Sequence, residues 1–188
     1  LKTILIISLP RSGSTNLMLS LGRGYGFSTF FEQDKKNANP NLYSKGKSIK
    51  ENSIHKIIVD TQKGIDYYLD LIERFDYTIL LDRKDILQQA ESYYILRYIN
   101  KGKVNAQWND EIIDRQGIRK TEEYKRMLET CKKNRNLLRG ISEFSNIEID
   151  YYEDVYSKKH LHNKEIKLDL EYMSERKRCR QSSKQSLL

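Results

Sequence analysis

Apolar positions in this chain come in short runs with two different periods. Residues 1–9 (LKTILIISL) are apolar almost without interruption, which predicts a strand buried on both faces. In residues 14–22, Leu17, Met18 and Leu21 recur at helical spacing, and Gly22, Gly24 and Gly26 then punctuate the exit. Further strands are predicted at 27–31, 54–59, 77–81 and 147–151. Helices are predicted at 64–75, 85–100 and 119–142, and 153–155 begin another helical turn. The helix at 119–142 is the clearest, with Tyr124, Met127, Leu128, Cys131, Leu138 and Ile141 on one stripe. Two stretches lack either period. Residues 33–52 are polar and rich in Asn and Lys, and 101–118 form a mixed loop around Trp108.

Strands alternating with helices at this interval imply an α/β fold, a parallel sheet of about five strands with helices on both faces. Right-handed crossovers bring the loops that leave the strands to one edge, and ligands bind such sheets there. That edge gathers Arg11 to Thr15, then Glu32, then Asp60 and Lys63, then Arg83 and Ser92. His55 falls at the start of its strand, on the opposite edge. The length, 188 residues, is that of one domain (1–188) with a basic tail at 174–188.

The loop after the first strand carries the most chemistry. Residues 4–15 read ILIISLPRSGST: strand, anion-cradling turn and helix N-terminus in order. The Walker form GxxxxGK[ST] is absent, because Ser8 stands at its first glycine and Ser14 at its lysine. The cation has moved to Arg11, ahead of Gly13. PRSGST after a buried strand resembles the 5′-phosphosulfate loop of sulfotransferases that use 3′-phosphoadenosine 5′-phosphosulfate (PAPS). The expected sheet is then a three-layer sandwich like that of P-loop nucleotide kinases.

A second stretch supports the same resemblance. After YTILL comes Arg83-x-Asp85-x-x-x-Gln89-Ala90-x-Ser92. This is similar to the 3′-phosphate site of the bacterial trehalose 2-sulfotransferase type, with serine nine residues after arginine. The spacing is one longer than in cytosolic and Golgi sulfotransferases. Arginine forks onto phosphate oxygens, and a hydroxyl two turns into the helix closes on the same group. Asp85, three residues before Gln88, reads as a helix N-cap with its capping-box partner. In that family the base is a glutamate 21 residues after the loop arginine, and here that position is Glu32, in FSTFFEQD without the family's proline.

The resemblance therefore implies sulfuryl transfer from PAPS to a hydroxyl, on a carbohydrate or glycolipid. Arg11, Ser12, Gly13, Ser14 and Thr15 would hold the 5′-phosphosulfate, and Arg83 and Ser92 the 3′-phosphate. Arg11 and Glu32 would be the catalytic groups, with Asp60 the alternative base and Lys63 a cation for the leaving group. Trp108 would pack the core or wall the acceptor pocket. Two alternatives stay open: a small-molecule kinase on the same sheet, which the missing Walker lysine opposes, and a PAP- or PAPS-binding protein without catalysis.

Composition narrows this reading only a little. The net charge of +8 suits an anionic ligand, and the basic tail could add to a 3′-phosphate site. No base-reading motif accompanies the charge, so no nucleic-acid partner is expected. Cys131 and Cys179 stand far apart without a CxxC pair, and His160 and His162 lack further ligands nearby. No metal is expected, since arginine and backbone dipoles supply the positive charge. No apolar run reaches the ~20 residues of a membrane span. TILIISL imitates a signal peptide, but it is short and lacks a cleavage site. The expected location is cytoplasmic, and oligomeric state is silent in the sequence.

Overall fold

The structure, a computed structural model, describes residues 2–31, 49–99 and 114–155. Glu32, Trp108, His160, His162, Cys179 and the 174–188 tail lie outside the described residues. Five strands, β1 (Thr3–Ser8), β2 (Ser28–Phe31), β3 (Ser53–Ile58), β4 (Tyr77–Asp82) and β5 (Ile149–Tyr151), form one sheet in the order β2-β3-β1-β4-β5. Every neighbouring pair is parallel. The central place of β1 explains its lack of alternation: all six residues are buried, three toward each face.

The two faces are covered by different helices. Ile4 and Ile6 of β1, with Ile54, Ile79 and Leu81, pack on Leu17, Met18 and Leu21 of α1 (Ser14–Tyr25). Leu5, Ile7, Ile57 and Leu80 face the other way, onto Tyr68, Leu71 and Ile72 of α2 (Ile65–Glu73) and Leu138 and Ile141 of α5 (Glu122–Ser145). A third cluster joins Ala90 of α3 (Ile86–Tyr94), Ile118 of α4 (Arg115–Lys120) and Tyr124 and Cys131 of α5. The short α6 (Tyr152–Val155) follows β5 directly. The α/β fold and its five-stranded parallel sheet are thus as the periodicities predict.

Three elements differ from the sequence reading. Helix α1 does not stop at Gly22; it runs through Gly24 and ends at Gly26, whose φ of 67° supplies a left-handed C-cap. Gly22 is needed for close packing, since a Cβ there would lie 2.6 Å from Thr29 Cγ2 on β2. The helix expected over 85–100 is α3 followed by a π turn at Ile95–Ile99. The residue pattern suits either helix form there. Helix α4 straddles the boundary between the loop expected over 101–118 and the helix expected over 119–142, which starts as α5 only at Glu122, and six residues are too few to announce it by periodicity. Its signals are caps: Asp114 accepts the Gly117 N–H, and Thr121, in extended conformation, ends α4 and caps α5.

The strand order places a topological switch between β1 and β4. From β1 the chain crosses toward β2, and from β4 it crosses toward β5, so the two loops part in opposite directions, the arrangement that leaves a ligand crevice in open sheets of this kind. His55 is far from that edge. It is fully buried near the start of β3, its ring stacked on Phe30 at 4.8 Å and edge-on to Phe75 at 5.1 Å. Its Nε2 lies 3.0 Å from Ser53 Oγ.

Burial lowers the His55 pKa from 6.5 to about 4. The unfolded chain therefore takes up the proton first as pH falls, and stability is lost between those two values. At pH 5 the loss is about 2 kcal/mol relative to pH 8. A His55→Gln variant, though less stable at pH 8, is expected to lose less on acidification. Equal losses in urea titrations of the two proteins at both pH values would contradict this.

Candidate functional site

The loop between β1 and α1 leaves the sheet at that switch. Val59 N–H donates to Ser8 O at 2.9 Å and Leu9 N–H to Leu81 O at 3.2 Å, so the loop emerges held on both sides. Ser12 then folds the turn back: its N–H and its hydroxyl donate to Leu9 O at 3.3 and 2.8 Å. Ser12 is fully buried and spends its side chain on the turn. Arg11 has φ 63° and Gly13 φ 75°. The left-handed region suits Gly13, the N-cap of α1, but costs a non-glycine residue roughly 1–3 kcal/mol, a strain that clusters at functional sites. First-turn amides of α1 lack intrahelical acceptors and carry the positive end of its dipole. No acidic residue stands in that turn. The Ser14 hydroxyl makes no hydrogen bond among the described residues.

Helix α3 brings the second motif onto this loop. Arg11 Nε donates to Ser92 Oγ at 2.9 Å, across 81 residues of sequence. Gln89, fully buried, donates from Nε2 to Pro10 O at 2.9 Å. Arg83 stands close enough to Arg11 for its charge, after burial, to lower the Arg11 pKa. Arg11 and Ser92, one from each predicted motif, are thus in direct contact, and the Arg83 charge is within electrostatic reach of Arg11. Asp85 is the N-cap of α3, as expected, accepting the Leu87 and Gln88 N–H groups at 2.9 and 3.0 Å.

Arg83 is held from several directions by residues the sequence reading did not single out. Strand alternation puts Leu80 and Asp82 of β4 on the α5 side, where Asp82 is buried. Its carboxylate accepts the Arg83 N–H at 2.6 Å and pairs with Arg135, with Nε 2.8 Å from Oδ2 and Nη2 3.1 Å from Oδ1. Burial pushes the Asp82 carboxyl up, while the Arg83 N–H and Arg135 pull it down. Removing one partner of such a buried pair typically costs ~3–5 kcal/mol. The Arg83 side chain, 17% exposed, lies 3.5 Å through Nε from Glu153 Oε1 and 5.1 Å over the Tyr152 ring. Its Nη atoms make no hydrogen bond among the described residues. A lone acid ending an apolar strand, and an arginine flanking the stripe of α5, were the sequence signals for Asp82 and Arg135.

On the β3 side the groups are different. Lys56, on the α1 face of β3, donates from Nζ to Thr15 Oγ1 at 3.1 Å and lies 5.3 Å from the Phe31 ring centre. Asp60 is exposed just after β3; its carboxylate accepts the Gln62 N–H at 3.0 Å, and Tyr68 clasps its backbone at 2.7 and 3.2 Å. Lys63 turns to Tyr67, with Nζ 3.2 Å from the hydroxyl. Glu32, the residue after β2, is outside the described residues.

Among the described residues no three His, Cys, Asp or Glu side chains form a metal-holding group, and no helix is long and apolar enough to cross a membrane. Compared with protein-family models, curated proteins and solved structures, the chain shows no significant match to any of them.

Proposed function

We propose that this protein is a PAPS-dependent sulfotransferase. The observation that carries the reading is the contact between the two motifs where the loops after β1 and β4 part, with Arg11 Nε 2.9 Å from Ser92 Oγ and the Arg83 charge within electrostatic reach of Arg11. A crevice with two guanidiniums, a hydroxyl and a helix N-terminus suits a ligand with two separate anionic groups. In this reading the bound nucleotide spans the sheet edge. Its 3′-phosphate meets Arg83 and Ser92 on the β4 side. Its 5′-phosphosulfate rests on the α1 N-terminus with Arg11, Ser14 and Thr15, and Ser12 and Gly13 shape the turn.

The reacting sulfuryl group then points toward β3 and β2. An acceptor hydroxyl on that side attacks sulfur in line as the sulfur–oxygen bond to the 5′-phosphate breaks. Glu32 takes the hydroxyl proton, and PAP leaves with the bridging electrons. Sulfate is already on a good leaving group, so positioning and charge stabilisation carry most of the catalysis. The acceptor class, a carbohydrate or glycolipid, is what the family resemblance suggests.

PAP and AMP differ only in the 3′-phosphate. Arg83→Ala should cost PAP binding about 1.5–3 kcal/mol, roughly ten- to hundredfold in Kd, and leave AMP binding nearly unchanged. Calorimetric titration reads both. Equal losses for the two nucleotides would make Arg83 a structural residue and not a reader of the 3′-phosphate.

A further inference from the structure

Arg135 lies in the middle of α5, away from both sequence motifs, yet its guanidinium joins them. It is 12% exposed and faces the 3% exposed carboxylate of Asp82. Nη2 also donates to the carbonyl of Arg83 and lies 3.5 Å from Gln89 Oε1. Gln89 in turn holds Pro10 O at 2.9 Å, and Asp82 holds the Arg83 N–H at 2.6 Å. One side chain therefore contacts the turn after β4 directly and the turn after β1 through a single residue. One helical turn beyond Gln89, Ser92 receives Arg11.

A charge partner for Asp82 alone would need none of this reach. A lysine would neutralise the carboxylate equally well, but as a point charge on a flexible stem. The planar fork lies side-on to Asp82, with Nε and Nη2 facing its two oxygens, and this fixes Nη2 where it also meets the Arg83 carbonyl and the Gln89 amide oxygen. We propose that Arg135 is a positioning residue of the nucleotide site, fixing the Arg83 turn relative to the Arg11 turn and so setting the separation of the two anion-binding groups. This rests on the sulfotransferase reading for the identity of the ligand, but not for the coupling of the two turns.

Arg135→Lys separates charge neutralisation from positioning. Hydrogen–deuterium exchange on the ligand-free variant should show about tenfold faster exchange at residues 11–13 and 83–85, with amides of β1 and β3 unchanged. The preference for PAP over AMP should fall by about tenfold, as expected when preorganisation is lost and not a contact. If Arg135→Lys destabilises the whole protein, exchange rises everywhere; Gln89→Leu, which leaves the Asp82 pair intact, must then loosen residues 11–13 selectively. Wild-type exchange in both turns overturns the proposal, as does loosening confined to residues 83–85. A wild-type protein with no preference for PAP over AMP sinks the functional reading instead, and the exchange result then decides the coupling by itself.

Discussion

Replacing Glu32 by Gln is expected to lower sulfuryl-transfer turnover by about 10²-fold or more while PAP affinity stays nearly unchanged. A base acts on the acceptor hydroxyl, so its loss should appear in kcat and not in nucleotide binding. The 21-residue interval from Arg11 motivates the choice. The strand order adds a geometric requirement. With β3 between β2 and β1, the carboxyl end of β2 lies about 10 Å from that of β1 at ordinary strand spacing. In the proposed reaction the acceptor therefore sits over β3, between the loop after β1 and the end of β2. Asp60 follows β3 itself and is nearer, but its carboxylate already caps the turn through the Gln62 N–H. Asp60→Asn is the paired variant. Near-normal turnover in Glu32→Gln beside an inactive Asp60→Asn that still binds PAP would move the base to Asp60.

Arg11→Ala is expected to cost about 10²–10³-fold in turnover, the usual loss when one preorganised charge-stabilising group is removed. PAP affinity should fall with it, because Arg11 also holds Ser92. Arg11→Lys keeps the charge but loses the planar fork, so it should recover part of the turnover and little of the Ser92 contact. Arg11 already carries a strained backbone at φ 63°, and alanine keeps that strain, so a change in stability is not the expected readout. Turnover within about threefold of wild type, by an assay whose range covers the expected loss, would remove Arg11 from the catalytic machinery.

The sequence made some levels of this structure legible and not others. Unbroken apolar runs announced the central strands, because β1 is flanked by β3 and β4 and buried on both faces. Helical spacing announced α5, five of whose six stripe residues are buried; Leu128 is half-buried beside the same cluster. Parallel-sheet logic was enough to bring Arg11 and Ser92 to one edge. The Arg11–Ser92 hydrogen bond itself was not legible, since the motifs suggested Arg83 as the partner of Ser92. Neither was the frame behind Arg83. Asp82 and Arg135 are 53 residues apart, and only the packing of α5 on the β4 face makes them a pair. Helix α4 escaped because caps, and not periodicity, define so short an element.

The central claim is that the crevice between β1 and β4 reads a nucleotide by its 3′-phosphate as well as its 5′ end. Thermal unfolding with PAP, AMP and ATP at equal concentrations tests this most directly. A ligand that binds only the folded chain stabilises it by mass action, about 2.7 kcal/mol at a hundredfold excess over Kd. For a chain of this size that is roughly a 5–10 °C rise in Tm. PAP is expected to produce a shift of that order at concentrations where AMP and ATP, lacking the 3′-phosphate, produce far less. Equal shifts from ATP and PAP, or none from PAP at millimolar concentration, would contradict the claim.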